Sequence, residues 1–122
     1  MRFRVATLNL EQDHKRWELR RELIVDELGR LRPDIWALNE ISVPAQTGQW
    51  LRQAALERFA LEYSLHQQPK SGAAVQKEAE GFLTRFPVLE VASLDYQADN
   101  GVALVARFEI EDRLIEVYVT HL

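Results

Sequence analysis

The 122-residue sequence predicts an α+β fold in which a mixed β-sheet has helices on one face. The first observation is the opening order of strand, amphipathic helix and wholly apolar strand, which is typical of a βαβ unit with parallel pairing. The second is a change to apolar/polar alternation after residue 60, which favours strands. The third is a very short connection before the last strand, which indicates an antiparallel hairpin. No repeat or linker divides the chain, so we expect residues 1–122 to form a single domain.

The first three elements follow from periodicity and from one proline. Residues 2–10 alternate as a strand does, and the apolar run at 35–38 is typical of a strand covered on both faces. Between them we expect a helix of about 18 residues with an apolar stripe and a charged opposite face. Pro33 ends this helix, because proline lacks the amide donor and disfavours helix in the residue before it. The stripe comprises Trp17, Leu23, Ile24, Leu28 and Leu31.

The remainder of the chain predicts one more helix and five strands. The helix covers residues 46–58 and places Leu51, Ala54, Ala55 and Phe59 inward. The polar stretch at 67–79 has no periodicity and is typical of a loop. The strands are expected at 61–65, 81–84, 88–94, 102–110 and 114–121.

One face of the predicted sheet lacks a cover. Residues 102–107 and 114–119 carry apolar side chains on both faces, which implies cover on both sides. The two helices cover only one of these faces. We therefore expect further structure, a partner or self-association to bury the other.

Composition narrows the classes of partner. The chain contains no cysteine, which excludes disulfides and thiolate metal sites, and no apolar run approaches the roughly 20 residues of a membrane span. A cytoplasmic location fits these features. The net charge is −4, and acidic residues interleave the one dense basic run at 15–21, which is typical of a solvated helix face. Nucleic acid is therefore a possible partner that the charge does not favour.

Five polar residues stand out as candidates for chemistry. Glu40 directly follows the apolar strand, so its carboxylate emerges at the carboxyl end, where α/β sheets place ligands; the alternative is an ordinary charged strand end. Asn9 either contributes an amide to a site or starts a turn. His121 has a side chain suited to proton transfer near neutral pH, or it is a structural histidine on an apolar strand face. Glu78 and Glu80 are either site carboxylates or two loop acids.

Four segments resemble motifs of the endonuclease/exonuclease/phosphatase superfamily of metal-dependent phosphoesterases. Residues 33–40 read Pro-Asp-Ile-Trp-Ala-Leu-Asn-Glu and match the family strand position by position, except that Asn39 stands where glutamine is most frequent. Thr7-Leu8-Asn9 is similar to the end of the family's first strand, and Val119-Thr120-His121-Leu122 is similar to its histidine strand. Residues 78–87 resemble the family segment that ends in Arg-Phe-Pro.

The resemblance implies a site and a cofactor. Glu40 would hold Mg²⁺ (or Mn²⁺), and Asn9 would orient a ligand or water beside the metal. His121 would contact the reacting phosphate, with Glu78 orienting its ring. Gly81 lies two positions later than the family glycine, so Glu80 is an alternative to Glu78 in that role.

The resemblance also implies a larger domain. The family's later motifs, Gly-Asp-φ-Asn, a second metal aspartate and Ser-Asp-His, do not occur within residues 1–122. We therefore expect the amino-terminal half of a four-layer α/β/β/α sandwich, and a phosphoesterase that hydrolyses a phosphate mono- or diester only when the rest of the domain is present. Its substrate would be a phosphate ester, and the acidic net charge favours a lipid or small-molecule ester over a nucleic acid. The alternative is a non-catalytic, truncated module that needs a partner, or a second copy, on its open face.

Overall fold

The computed structural model describes residues 2–70, 77–95 and 102–121. Within them the chain forms two helices and seven strands, in the order that the sequence predicts. The elements are β1 (Val5–Asn9), α1 (Trp17–Leu31), β2 (Ile35–Ser42), α2 (Thr47–Phe59), β3 (Ser64–Pro69), β4 (Glu78–Thr84), β5 (Val88–Asp95), β6 (Val102–Ile110) and β7 (Arg113–Thr120).

The strands divide between two sheets. The first has the order β1-β2-β4-β3 and is mixed, because β1 and β2 are parallel while β4 runs antiparallel to both of its neighbours. The second sheet, β5-β6-β7, is wholly antiparallel. Glu111 and Asp112 form the turn between β6 and β7 with φ of 50° and 64°, the left-handed values of a two-residue hairpin turn. The predicted α+β class, the parallel opening pair and the final hairpin are confirmed.

Helices α1 and α2 cover one face of the four-stranded sheet. The core between them includes Leu28 of α1, Leu51 of α2 and Leu38 of β2, all fully buried. Leu51, Ala54 and Ala55 are buried as predicted for α2.

The predicted apolar stripe of α1 is wrong at two of its residues. Leu23 and Leu31 are 67% and 38% exposed, while Val25, which the stripe omits, is fully buried. The reason is that β1 is an edge strand of the sheet that the described residues form, so none of their strands lies under this side of the helix. Leu23 and Leu31 line an open apolar groove that also includes Trp36 of β2.

The second core lies between the two sheets. Ile35 and Phe82 of the first sheet pack against Leu104 and Phe108 of the second, and all four are buried. The inner face of the second sheet is therefore covered by the first sheet. On its outer face Leu94, Leu114 and Tyr118 are each more than 60% exposed, so no described residues cover it.

Other predicted boundaries also differ from the structure. The strand predicted at 2–10 is shorter, Val5–Asn9, and the apolar run at 35–38 is only the first half of β2, which continues to Ser42 and contains Glu40. The strand expected at 61–65 begins at Ser64 and continues to Pro69, and Glu78 already belongs to β4. The predicted loop at 67–79 is therefore strand at both ends, and its central residues 71–76 lie outside the described part of the chain. Polar residues hid this pairing, because β3 is an edge strand and its exposed side chains need no apolar pattern.

Gly81 is a position where the sheet has no space for a side chain, and it provides a test of the β3–β4 pairing. A Cβ atom there would lie 2.6 Å from the backbone oxygen of His66 and 2.9 Å from the Ile41 side chain. We expect Gly81→Ala to lower the free energy of unfolding by ~1–3 kcal/mol, measured by urea denaturation, because overpacking against backbone is not relieved by side-chain movement. Gly48→Ala is the control: its Cβ would meet only side-chain atoms, the nearest at 3.3 Å, and its effect should be smaller. Equal effects would contradict the packing described here.

Candidate active site at the carboxyl end of the central strands

Four strand ends meet at one edge of the inter-sheet layer. Parallel pairing places Asn9 of β1 opposite Asn39 of β2, so Glu40 follows at the same edge. The antiparallel β4 begins there, with Glu78 opposite Ser42. The end of β7 arrives from the other sheet, where the Asn39 Nδ2 donates to the carbonyl oxygen of Thr120 at 3.1 Å. A crevice of about 280 Å³ runs between the sheets up to this edge.

A β-bulge in β2 sets the position of Glu40. Trp36, Leu38 and Ile41 all pack on the helix side of the sheet, so the interval between the last two is three residues instead of two. Glu40 lies within this irregularity with a φ of 53°, a left-handed value that a residue with a Cβ seldom adopts. Its backbone oxygen accepts from the amide of Gln12 at 2.8 Å. The bulge therefore keeps Glu40 out of the helix-side core.

The carboxylate of Glu40 has no hydrogen bond or ion pair with any of the residues that the structure describes. Glu40 as a whole residue is half-buried. A carboxylate in this setting is suited to bind a cation.

Asn9 has the turn role, one of the two alternatives that the sequence left open, and it lies at the edge where the candidate site is found. It ends β1 beside the site, and its Oδ1 accepts from the amide of Glu11 at 3.0 Å, the pattern of an asparagine that starts a turn. An amide oxygen has two lone pairs, so this hydrogen bond leaves one acceptor position unused.

Glu80 is a fully buried carboxylate between the sheets. Its Oε2 accepts from the Nδ2 of Asn39 at 2.5 Å, and its Oε1 has no hydrogen-bond partner among the described residues. Burial raises the pKa of Glu80 above its ordinary value of 4.5, although Asn39, Lys70 and His121 oppose the change. The asparagine that replaces the family's glutamine is thus directed at Glu80.

Lys70 is the cation of this cluster, and the sequence did not indicate it. Its side chain is only 11% exposed, and its Nζ lies 3.1 Å from Glu78 Oε1 and 3.7 Å from Glu80 Oε1. Lys70 follows β3 directly, and its amide donates to the carbonyl oxygen of Glu78. It fell inside the predicted polar loop, where a lysine is normally solvated. The available signal was the pair Glu78 and Glu80, which share one face of a strand and require a counter-charge if that face is buried.

His121 lies at the same cluster. Its Nδ1 is 3.4 Å from Lys70 Nζ, while neither Glu78 nor Glu80 makes a hydrogen bond to it among the described residues. Lys70 therefore stands between the predicted histidine and both of the carboxylates predicted to support it. The roles of His121, Glu78 and Asn9 remain predictions, as does metal binding by Glu40 and Asn9.

The donor set fits part of a hard-cation site. Glu40 and Asn9 offer carboxylate and amide oxygens, which Mg²⁺ prefers, and Mg²⁺ usually keeps several water ligands. The described residues contain no group of three or more His, Cys, Asp or Glu side chains placed to hold a metal ion.

The described residues also contain no helix long and apolar enough to cross a membrane.

Asp34, the acid at the start of the same motif, is structural and lies at the opposite end of β2. Its carboxylate accepts from the amide of Arg4 at 2.7 Å and pairs with Arg85. Beside it the Tyr63 hydroxyl donates to the Pro33 oxygen at 2.6 Å, and burial raises the pKa of Tyr63 to about 12.

Comparison with known proteins gives one family. A family model described as the Endonuclease/Exonuclease/phosphatase family matches residues 6–121. No curated protein matches the chain.

Solved structures share the fold. An endonuclease/exonuclease/phosphatase family protein from Leptotrichia buccalis C-1013-b is 12% identical with a TM-score of 0.84, covering 99% of this chain and 55% of that chain. The human Nocturnin catalytic domain with bound sulfate anion is 26% identical with a TM-score of 0.73, covering 98% and 49%. D. rerio TDP2 complexed with single-strand DNA product is 18% identical with a TM-score of 0.75, covering 98% and 46%. The chain therefore spans about half the length of these proteins.

The raised pKa of Glu80 predicts a pH dependence of stability. An acid whose pKa is raised on folding contributes full stability below its unfolded pKa of 4.5, and this contribution is lost as pH rises through the folded pKa. Glu80→Gln removes the titration and keeps an acceptor for Asn39. We expect the free energy of unfolding of the variant, relative to that of the unmodified protein, to increase from acidic to neutral pH in urea denaturation. The exposed Glu62→Gln is the control for the loss of one carboxylate, and a Glu80→Gln difference that does not change with pH would contradict the assignment.

Proposed function

The chain belongs to the endonuclease/exonuclease/phosphatase family, and from this we propose that it supplies the metal-binding and phosphate-contacting part of a hydrolase acting on phosphate esters. The observation that supports the proposal is the convergence of Asn9, Glu40 and His121 on one edge of the inter-sheet layer. Oxygen donors for a cation beside a histidine for a phosphate oxygen are the components that such a reaction needs.

Glu40 and Asn9 are the residues that would hold the metal ion, which we propose to be Mg²⁺ (or Mn²⁺). When bound, a divalent cation supplies Lewis-acid stabilisation of the negative charge on the transferring phosphoryl group. Water attacks phosphorus, the bond from phosphorus to the leaving oxygen breaks, and that oxygen takes up a proton. His121 would hydrogen-bond a phosphate oxygen and so orient the ester for in-line attack.

Among the residues that the structure describes, we assign no group to accept the proton of the attacking water. We propose that this base belongs to the carboxyl-terminal half of a four-layer domain of which the chain is the amino-terminal half. The similar structures are about twice as long as this chain, which supports the proposal. We expect residues 1–122 alone to be inactive.

The substrate class that we favour is a lipid or small-molecule phosphate ester. The net charge of −4 weakens the non-specific attraction to a phosphate backbone on which many nucleases depend. The structure of D. rerio TDP2 contains a single-strand DNA product, so a nucleic acid remains the competing class. A cytoplasmic location is part of the same proposal.

A second proposal follows from the outer face of the β5-β6-β7 sheet, where Leu94, Leu114 and Tyr118 are exposed. If the carboxyl-terminal half does not cover this face, the chain is a non-catalytic module that requires a partner or a second copy.

Replacing Glu40 tests the metal site. We expect Glu40→Gln in the native protein to lower Mg²⁺-dependent hydrolysis of a model phosphodiester by at least ~100-fold, the upper end of what losing a group behind a metal ligand costs. The stabilising shift of the melting temperature on adding Mg²⁺ should also disappear. Glu62→Gln removes the same charge at the exposed opposite end of the sheet and should change neither quantity. Unchanged turnover in Glu40→Gln would refute the assignment.

The open sheet face gives a prediction for the isolated chain. Purified residues 1–122 should bind the dye ANS and elute from size-exclusion chromatography above the mass of a monomer, because the exposed apolar side chains of this face, Leu94, Leu114 and Tyr118, favour association. Leu114→Glu together with Tyr118→Glu should reduce both effects. A monomer that binds no dye would show that this face needs no cover.

A further inference from the structure

We propose that Lys70 is a positioning residue that fixes His121 as a neutral imidazole with its proton on Nε2. The inference deepens the proposed function, because it states which form of His121 would meet a phosphate ester. The protonation of the ring can nevertheless be measured without any substrate.

The chemistry of the two side chains decides which nitrogen carries the proton. The Nζ of Lys70 lies 3.4 Å from the Nδ1 of His121. A lysine ammonium has three donors and no acceptor, so the histidine nitrogen facing it must be the acceptor. A neutral imidazole with an unprotonated Nδ1 carries its proton on Nε2.

Lys70 is fixed in place by its own environment. Its side chain is 11% exposed, and Glu78 and Glu80 lie within 4 Å of its Nζ. The carboxylate of Glu80 is itself held by a hydrogen bond from Asn39, so this partner of the Lys70 ammonium is fixed in position. The backbone contributes as well, since the Lys70 amide donates to the Glu78 oxygen at 3.0 Å.

This arrangement reverses the usual effect of a carboxylate behind a histidine. A carboxylate that accepts from Nδ1–H leaves Nε2 unprotonated, and the ring then serves as a general base. With Lys70 in between, Nδ1 is the acceptor and Nε2 is the donor. His121 would therefore donate a hydrogen bond to an ester oxygen without carrying a net charge, and it would not remove a proton from water.

The direct test is nitrogen-15 NMR of the histidine rings in the native protein at mildly alkaline pH. The chain has three histidines, and the spectrum of His121→Gln assigns the one that matters. We expect His121 to show a protonated Nε2 and an unprotonated Nδ1 shifted by an accepted hydrogen bond. A nuclear Overhauser contact between the Lys70 Hε and His121 Hε1 protons should accompany it. A protonated Nδ1, or the absence of this contact, overturns the inference.

Variants at position 70 test the cause. Lys70→Met removes the donor and keeps the apolar stem, so the nearest partners of Nδ1 become carboxylates and the proton should move towards Nδ1. Lys70→Arg, which is also only a donor, should keep the proton on Nε2. Lys77→Met makes the same exchange at an exposed lysine and should leave the spectrum unchanged. If Lys70→Met leaves the His121 signals where they are, Lys70 does not fix the ring.

Failure of this inference can be told from failure of the proposed function. A protonated Nδ1 combined with Mg²⁺-dependent phosphodiester hydrolysis overturns the role of Lys70 and leaves the hydrolase intact. The expected tautomer in a protein without hydrolase activity supports the role of Lys70 and removes the catalytic proposal. Should Lys70→Met fail to fold, the unmodified protein and Lys70→Arg still decide, since a protonated Nδ1 in either one contradicts the inference.

Discussion

The pleat of β4 is the constraint on which the candidate site depends. Side chains two residues apart share a face, so once Phe82 enters the core between the sheets, Glu80 and Glu78 must point into the same layer. Carboxylates in such a layer are costly unless they are paired. Asn39 and Lys70 meet this requirement from the strands on either side of β4, and Lys70 in turn reaches His121. The polar cluster is thus a consequence of packing the two sheets face to face.

Most elements of the fold could be predicted from local sequence patterns. The β1-α1-β2 unit, α2 and the final hairpin each depend on neighbouring residues, and each is present. What the sequence did not predict depends on neighbours distant in sequence. Leu23 and Leu31 were predicted to be buried because helical periodicity does not indicate that β1 is an edge strand. The division of the strands into two sheets could not be predicted either. Alternation indicates which face of a strand is buried, but it does not indicate which element packs against that face.

The candidate site was predictable only where it coincides with strand ends. Glu40 directly follows the apolar part of β2 and Asn9 ends β1, and parallel pairing alone brings them to one edge. The environment of His121 was not predictable, because the group beside its ring is a lysine from a stretch without periodicity. A motif fixes which side chains are present, whereas the hydrogen bonds among them depend on what the tertiary fold buries.

The bulge at Glu40 bears on how this protein would respond to engineering. A backbone with φ of 53° favours glycine or asparagine, and a longer side chain there costs of order 1 kcal/mol. Selection for higher thermal stability favours substitutions that remove such backbone strain. If Glu40 holds the metal ion as proposed, selection for stability at position 40 would favour replacement of the carboxylate that the reaction requires.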